Sequence, residues 1–282
     1  MQYFEPNFVD EALVLLDRYG PRARVLAGGT LLGFEARSDG ADISAIVNVK
    51  RIPALREINS DGRVLTIGAL ATAHELARDE RINRDAPLIA QAAGSLGARQ
   101  LRTVATIGGN LCSGHHAADL SVALLAADAV CLLSDIATGP ERMSVDGFVR
   151  LDRSARGQRL LTAVEIPIRR AGYAYVKMQT RRAFELALVC VAVSVDVAGG
   201  NVREARVAVG GAAPTPLRAR RTEAALRAAP ATDATARGAG ERAAREDANP
   251  EDDVHASAAY RRNLVEVLTQ RALRAAFESA PR

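Results

Sequence analysis

Two short segments carry paired glycines: Ala27-Gly28-Gly29-Thr30-Leu31 and Thr106-Ile107-Gly108-Gly109-Asn110. Glycine reaches positive φ and lets a backbone approach a ligand closely. Successive N–H groups in such turns form a concavity that suits an anion. Two facing loops of this kind would hold a diphosphate with few basic side chains, and Thr30, Thr106 and Asn110 would add polar contacts. Each pair taken alone also reads as an ordinary tight turn. The common phosphate motifs are absent: no G-x-G-x-x-G follows a strand, and there is no G-x-x-x-x-G-K-[ST]. The residues therefore point to two anion loops and leave the ligand open.

Other side chains narrow the chemistry. Lysine occurs only at Lys50 and Lys177, and the remaining basic residues are arginines. A lysine kept at position 177 suggests a place where arginine would not serve. Cys112, Cys131 and Cys190 are too few and too irregularly spaced for a disulfide framework or a four-ligand cluster; all three are expected reduced and structural. His115-His116 has no acidic cluster beside it, and adjacent histidines rarely face one metal, so no metal is expected. No general base for substrate chemistry is evident.

The patterning supplies elements for these segments. Residues 7–19 read as a helix stopped by Gly20-Pro21. Short strands are expected at 24–27, 45–49 and 64–67. Thr72 and Glu75 form a capping-box pair at a helix start. Helices are expected at 87–97 and 119–127, and a strand at 129–133. Residues 186–197 and 202–209 read as a hairpin about Gly199-Gly200-Asn201. Residues 219–249 have little apolar bulk and are expected as either a helix or a mobile surface segment. An amphipathic helix is expected over 257–279, with Leu264, Val267, Leu268, Leu273 and Phe277 on its apolar side. A domain boundary falls at about 168–172, dividing 1–168 from 172–282.

With 48% apolar and 25% charged residues, the composition is that of a globular chain with real cores. No run approaches the roughly 20 apolar residues of a membrane helix, and the N-terminus does not read as a secretory signal, so a cytoplasmic location is expected. The net charge of +4 raises nucleic acid as a partner, but aromatics make up only 4%. A single-strand binder would pair a basic stripe with stacking platforms.

The segments AGGT (27–30) and TIGGN (106–110) resemble the FAD-binding medium subunits of molybdenum hydroxylases, including those of aerobic carbon monoxide dehydrogenase and the xanthine dehydrogenases. The stretch RQLRTVATIGGNLCSG, then Ala118-Asp119-Leu120 and LLAADA, follow the family order. So do LLTAVEIP (160–167), GYAYVKMQTRR (172–182) and the C-terminal HASAAYRRNLVEVLTQRAL. The likeness spans most of the chain and is weakest at 219–249. Leu31 departs from the small polar residue of many relatives, and His115-His116 from an Asp/Pro-containing turn.

The resemblance implies an α+β fold, with a two-lobed FAD domain of the vanillyl-alcohol-oxidase type and a smaller C-terminal domain of antiparallel sheet plus helices. It implies that Ala27, Gly28, Gly29, Thr30 and Leu31 embrace the FAD diphosphate with Thr106, Ile107, Gly108, Gly109 and Asn110. Asp119 would accept a hydrogen bond from the cofactor, or, on sequence alone, cap the helix it begins. Leu96 and Leu161, otherwise core leucines, would line apolar faces of the cofactor. Lys177 would lie near the flavin ring, where positive charge stabilises added electron density. The FAD would be non-covalent. A large molybdenum–pterin subunit and a small subunit with [2Fe–2S] clusters would be partners, in a dimer of three-subunit units, with NAD, quinone, cytochrome or oxygen as final acceptor. A stand-alone flavin oxidoreductase and a non-enzymatic binding or scaffold module are the alternatives.

Overall fold

The computed structural model describes residues 1–35, 42–151, 159–180 and 186–281. Arg181 and Arg182, the end of one family-like segment, lie outside the described residues. The architecture is α+β, with three sheets among the described residues.

The first lobe is a three-stranded parallel sheet of β1 (Gln2–Phe4), β2 (Ala23–Leu26) and β3 (Ala45–Asn48), ordered β1-β3-β2. The helix Val9–Tyr19 is amphipathic and buries Ala12, Leu13 and Leu16. These pack with Val47, Ile52, Leu55, Leu70 and Leu160 in one small core. Strand β1, which the N-terminal pattern did not announce, is only three residues long and exists through its pairing with β3.

The second lobe holds an antiparallel sheet, order β4-β5-β8-β6-β7, from β4 (Ile58–Ser60), β5 (Val64–Gly68), β6 (Val130–Asp135), β7 (Gly139–Ser144) and β8 (Leu160–Pro167). Its helices include Ala73–Arg78, which starts on the capping box formed by Thr72 and Glu75. They also include Pro87–Ser95 and Asp119–Ala126. All eight residues of the last helix are buried: its apolar side chains face several sides, and the polar Asp119 and Ser121 are buried with them.

The C-terminal sheet, order β12-β11-β10-β9, is built from β9 (Gly172–Met178), β10 (Val189–Ala198), β11 (Asn201–Gly210) and β12 (Leu217–Arg218). Its alternation explains how it sits between two cores. Cys190 and Ala192 of β10 and Ala208 of β11 face the second-lobe core, where small side chains let the sheet approach helix Asp119–Ala126. Val189, Val191, Val193 and Val195 face the other way, onto the helices Asp233–Arg242 and Ala258–Ser279.

Residues 219–249 are not a loose surface segment. They hold helices Arg220–Leu226 and Asp233–Arg242, with Leu226, Ala236, Ala239 and Ala243 buried. Alanine suffices as core material where two helices run close together. In helix Ala258–Ser279, Val265 is buried and Val267 is 40% exposed, so the apolar face runs through Leu264, Val265, Leu268, Ala272, Leu273 and Ala276.

Candidate functional site

The two glycine loops adjoin. A Cβ placed on Gly28 would lie 2.0 Å from the Val104 carbonyl oxygen, so the first loop packs directly on the chain that leads into the second. Gly29 has φ +74°, a left-handed conformation that side chains resist. The Gly33 N–H donates back to the Gly29 oxygen at 3.1 Å. Among the described residues, no acceptor meets the N–H groups of Gly28, Gly29, Thr30 or Leu31. Leu31 is 39% exposed at the rim.

The second loop has a different construction. Its glycine pair is not a turn but the first turn of a short helix, Ile107–Cys112. Thr106 is the N-cap, and its Oγ1 accepts from the Gly109 N–H at 3.0 Å. The Ile107 and Gly108 N–H groups donate to the Ala71 and Ala69 oxygens, each at 2.9 Å, and the Asn110 N–H donates to the Thr106 oxygen at 2.9 Å. The N–H groups of residues 107–110 are therefore spent within the fold. Open main-chain donors come from the first loop, while the second brings closeness and side chains.

Asn110 has a role that its motif position does not reveal. Its Oδ1 accepts from the N–H groups of Leu120 and Ser121, at 3.1 and 3.2 Å. It thereby caps helix Asp119–Ala126, whose own N-cap, Ala118, has no side-chain acceptor. Asp119 thus does not cap its helix. Its Oδ1 instead pairs with Lys177 Nζ at 2.8 Å and accepts from the Tyr175 hydroxyl at 2.7 Å. Lys177 Nζ also donates to the Ser95 oxygen at 3.3 Å. Both charged side chains are deeply buried, with 6% of Lys177 and 3% of Asp119 exposed. Burial, then Cys190 and Asp119, push the Tyr175 phenol well above its ordinary range. Burial foremost pushes the Cys190 thiol up to about 12.

Leu96 follows Ser95 and is buried, as is Leu161 on β8. The neighbouring Thr162 oxygen accepts from the Ala69 N–H, and Ala69 in turn holds Gly108. Sequence reading missed Tyr175, although the strand period offered a signal. Tyr173, Tyr175 and Lys177 alternate on the β9 face toward the second lobe, and Ala174, Val176 and Met178 face the C-terminal core.

The two histidines stack, with ring centroids 4.5 Å apart. His115 Nδ1 accepts from the Ala117 N–H at 3.1 Å. Burial, then His116 and Arg261, lower the His115 imidazole to about 4. Among the described residues no group of three or more His, Cys, Asp or Glu could hold a metal ion. The three cysteines are free thiols.

A loop of open N–H donors with positive-φ glycine, set against a helix-capped loop, suits a dinucleotide diphosphate. The family model described as the FAD binding domain in molybdopterin dehydrogenase matches residues 1–169. The CO dehydrogenase flavoprotein C-terminal domain model matches residues 173–276. The carbon monoxide dehydrogenase medium chain of Hydrogenophaga pseudoflava is 29% identical over 280 residues, covering 98% of this chain and 96% of that one. A putative xanthine dehydrogenase FAD-binding subunit of Escherichia coli is 30% identical over 271 residues, covering 92% of this chain and 90% of its own. A solved carbon monoxide dehydrogenase from H. pseudoflava, lacking the Mo-pyranopterin moiety of its molybdenum cofactor, superposes with a TM-score of 0.93 at 28% identity, covering 100% of this chain and 98% of that one. The chain therefore belongs to the family of FAD-binding medium subunits of carbon monoxide and xanthine dehydrogenases, and is an oxidoreductase flavoprotein subunit.

Proposed function

We propose that this chain holds one FAD non-covalently across the two glycine loops and relays electrons from [2Fe–2S] clusters of a small partner subunit to an external acceptor. A large molybdenum–pterin subunit would carry out substrate oxidation. Bound FAD takes electrons singly or in pairs, which lets it join a one-electron relay to a two-electron acceptor. The open N–H groups of residues 28–31 carry this reading, because they supply donors for a diphosphate where no lysine or arginine is needed. Thr106 and the Asn110 side-chain nitrogen complete the cradle, Gly109 keeps a side chain away from Thr106, and Gly108 lets the loop pack on Ala69. Leu96 and Leu161 would line apolar faces of the cofactor, Asp119 would accept a hydrogen bond from it, and Lys177 would lie near the ring with its charge balanced by Asp119. The charged groups in this set, Lys177 and Asp119, pair with each other through Asp119 Oδ1, which suits a relay better than a site for proton abstraction. The division at 168–172 separates the cradle from the sheet that brings Lys177 to it.

Gly109→Asp tests the placement. A carboxylate there would meet the diphosphate, and its Cβ would lie 2.9 Å from the Thr106 cap oxygen, so the variant is expected to lose FAD while staying folded, its melt being compared with that of the wild-type apoprotein. Full flavination of that variant would place the cofactor elsewhere.

A further inference from the structure

The Tyr175 hydroxyl and Lys177 Nζ both hold the same atom, Asp119 Oδ1, at 2.7 and 2.8 Å. Among the described residues, Asp119 Oδ2 has no hydrogen-bond partner. The fully enclosed side-chain polar atoms that lack partners belong to Arg159, Thr269 and Arg274, so Oδ2 is not sealed in the core. A carboxylate with two donors on one oxygen is fixed in rotation, and its second oxygen is presented in one direction. We propose that Tyr175 is a positioning residue: it fixes the Asp119 carboxylate so that Oδ2 stays available as the acceptor for the cofactor. This rests on the proposal that Asp119 contacts FAD.

The anchoring of Tyr175 fits such a role. Its N–H donates to Gln91 Oε1 at 2.9 Å, which ties the strand to helix Pro87–Ser95 at the level of the ring. The high phenol pKa keeps the hydroxyl protonated and donating throughout the working pH range. Without that hydroxyl, Lys177 is the sole donor to the Asp119 carboxylate among the described residues. The carboxylate is then free to turn and give both oxygens to the ammonium, which withdraws Oδ2 from the ligand. Tyr175 acts through Asp119 and need not touch the cofactor.

The test is FAD affinity of the purified full-length chain, stripped and titrated with FAD, for Tyr175→Phe, Asp119→Asn and the double variant, with a thermal melt on each. Tyr175→Phe is expected to weaken FAD binding about tenfold, the scale of a hydrogen bond to a charged group. In the Asp119→Asn background the same change should cost less than about twofold, because coupled residues are non-additive. Installing 3-fluorotyrosine at 175, which keeps ring and hydroxyl, should retain wild-type affinity within about twofold on the same scale. Should Tyr175→Phe not fold, 4-fluorophenylalanine fills the hydroxyl volume without donating and is judged by the same criteria. Unchanged affinity in Tyr175→Phe, or equal losses in both backgrounds, would overturn the positioning role alone. Wild-type affinity in Asp119→Asn would instead overturn the reading of Asp119 as a cofactor contact.

Discussion

Lys177 and Asp119 neutralise each other in a place where neither is stable alone. Removing one partner of a buried pair leaves an uncompensated charge and costs about 3–5 kcal/mol. Lys177→Met is therefore expected to destabilise the chain by about that amount in urea unfolding, and Lys177→Met with Asp119→Asn by clearly less. His115 gives a pH dependence of known sign. Its folded pKa of about 4 lies below the ordinary 6.5 because burial, then His116 and Arg261, disfavour the imidazolium. Between those values the unfolded chain binds more protons, so stability is full above about pH 6.5 and is lost as pH falls toward 4. His115→Gln should flatten this part of a denaturation-against-pH profile; an unchanged slope would assign the loss to other groups. The two glycine pairs and the isolated lysine were legible from residue type and spacing. Their partners were not, because Tyr175 and Asp119 are brought together by sheet packing across 56 residues.

Helix Asp119–Ala126 is held at both ends by residues from elsewhere. Asn110 Oδ1 caps its start, while the Leu125 and Ala127 oxygens accept from Arg218 and Arg169 at 3.2 and 3.1 Å. Cations at a helix C-terminus also meet the favourable end of its dipole. Asn110→Ala should lower stability by about 1 kcal/mol, the usual cost of a lost cap. Asn110→Asp keeps an oxygen on the helix but loses the amide donor, so it should keep the melting temperature of the apoprotein and weaken FAD binding. Parallel loss of both properties would mean that the cap alone matters. The long helices and the hairpin were legible because their periodicity is strong. The short helix Ile107–Cys112 was read as a turn because glycine pairs have poor helix propensity, and the Thr106 cap with bonds to residues 69 and 71 overrides it. Within 219–249 a helix and a mobile segment stayed equal readings because the buried helix faces are mostly alanine, which gives little apolar contrast.

At the scale of the molecule, Asp128 joins the flavin-binding part to the C-terminal sheet. It pairs with Arg206, with Arg218 at 2.5 Å and with Arg169 at 3.4 Å, and it adopts φ +52°. Burial raises the Asp128 carboxyl, but hydrogen bonds from Arg206 and Arg218 outweigh that and hold it below the usual range. Asp128→Ala removes the carboxylate shared by two guanidinium groups whose side chains are 5% and 4% exposed, leaving Arg206 with Glu204 and Arg218 with Glu223. A loss of about 2 kcal/mol, the scale of a hydrogen bond to a charged group, is expected, with faster proteolysis between the two parts; cleavage at the wild-type rate would show that the junction is held by apolar packing. No helix among the described residues is long and apolar enough to cross a membrane. Acid precipitation of the purified chain, with identification and counting of the released cofactor, shows whether it holds FAD. About one FAD per folded chain, all of it released, is the expected result. A folded chain that carries no FAD and takes none up when FAD is added would contradict the account.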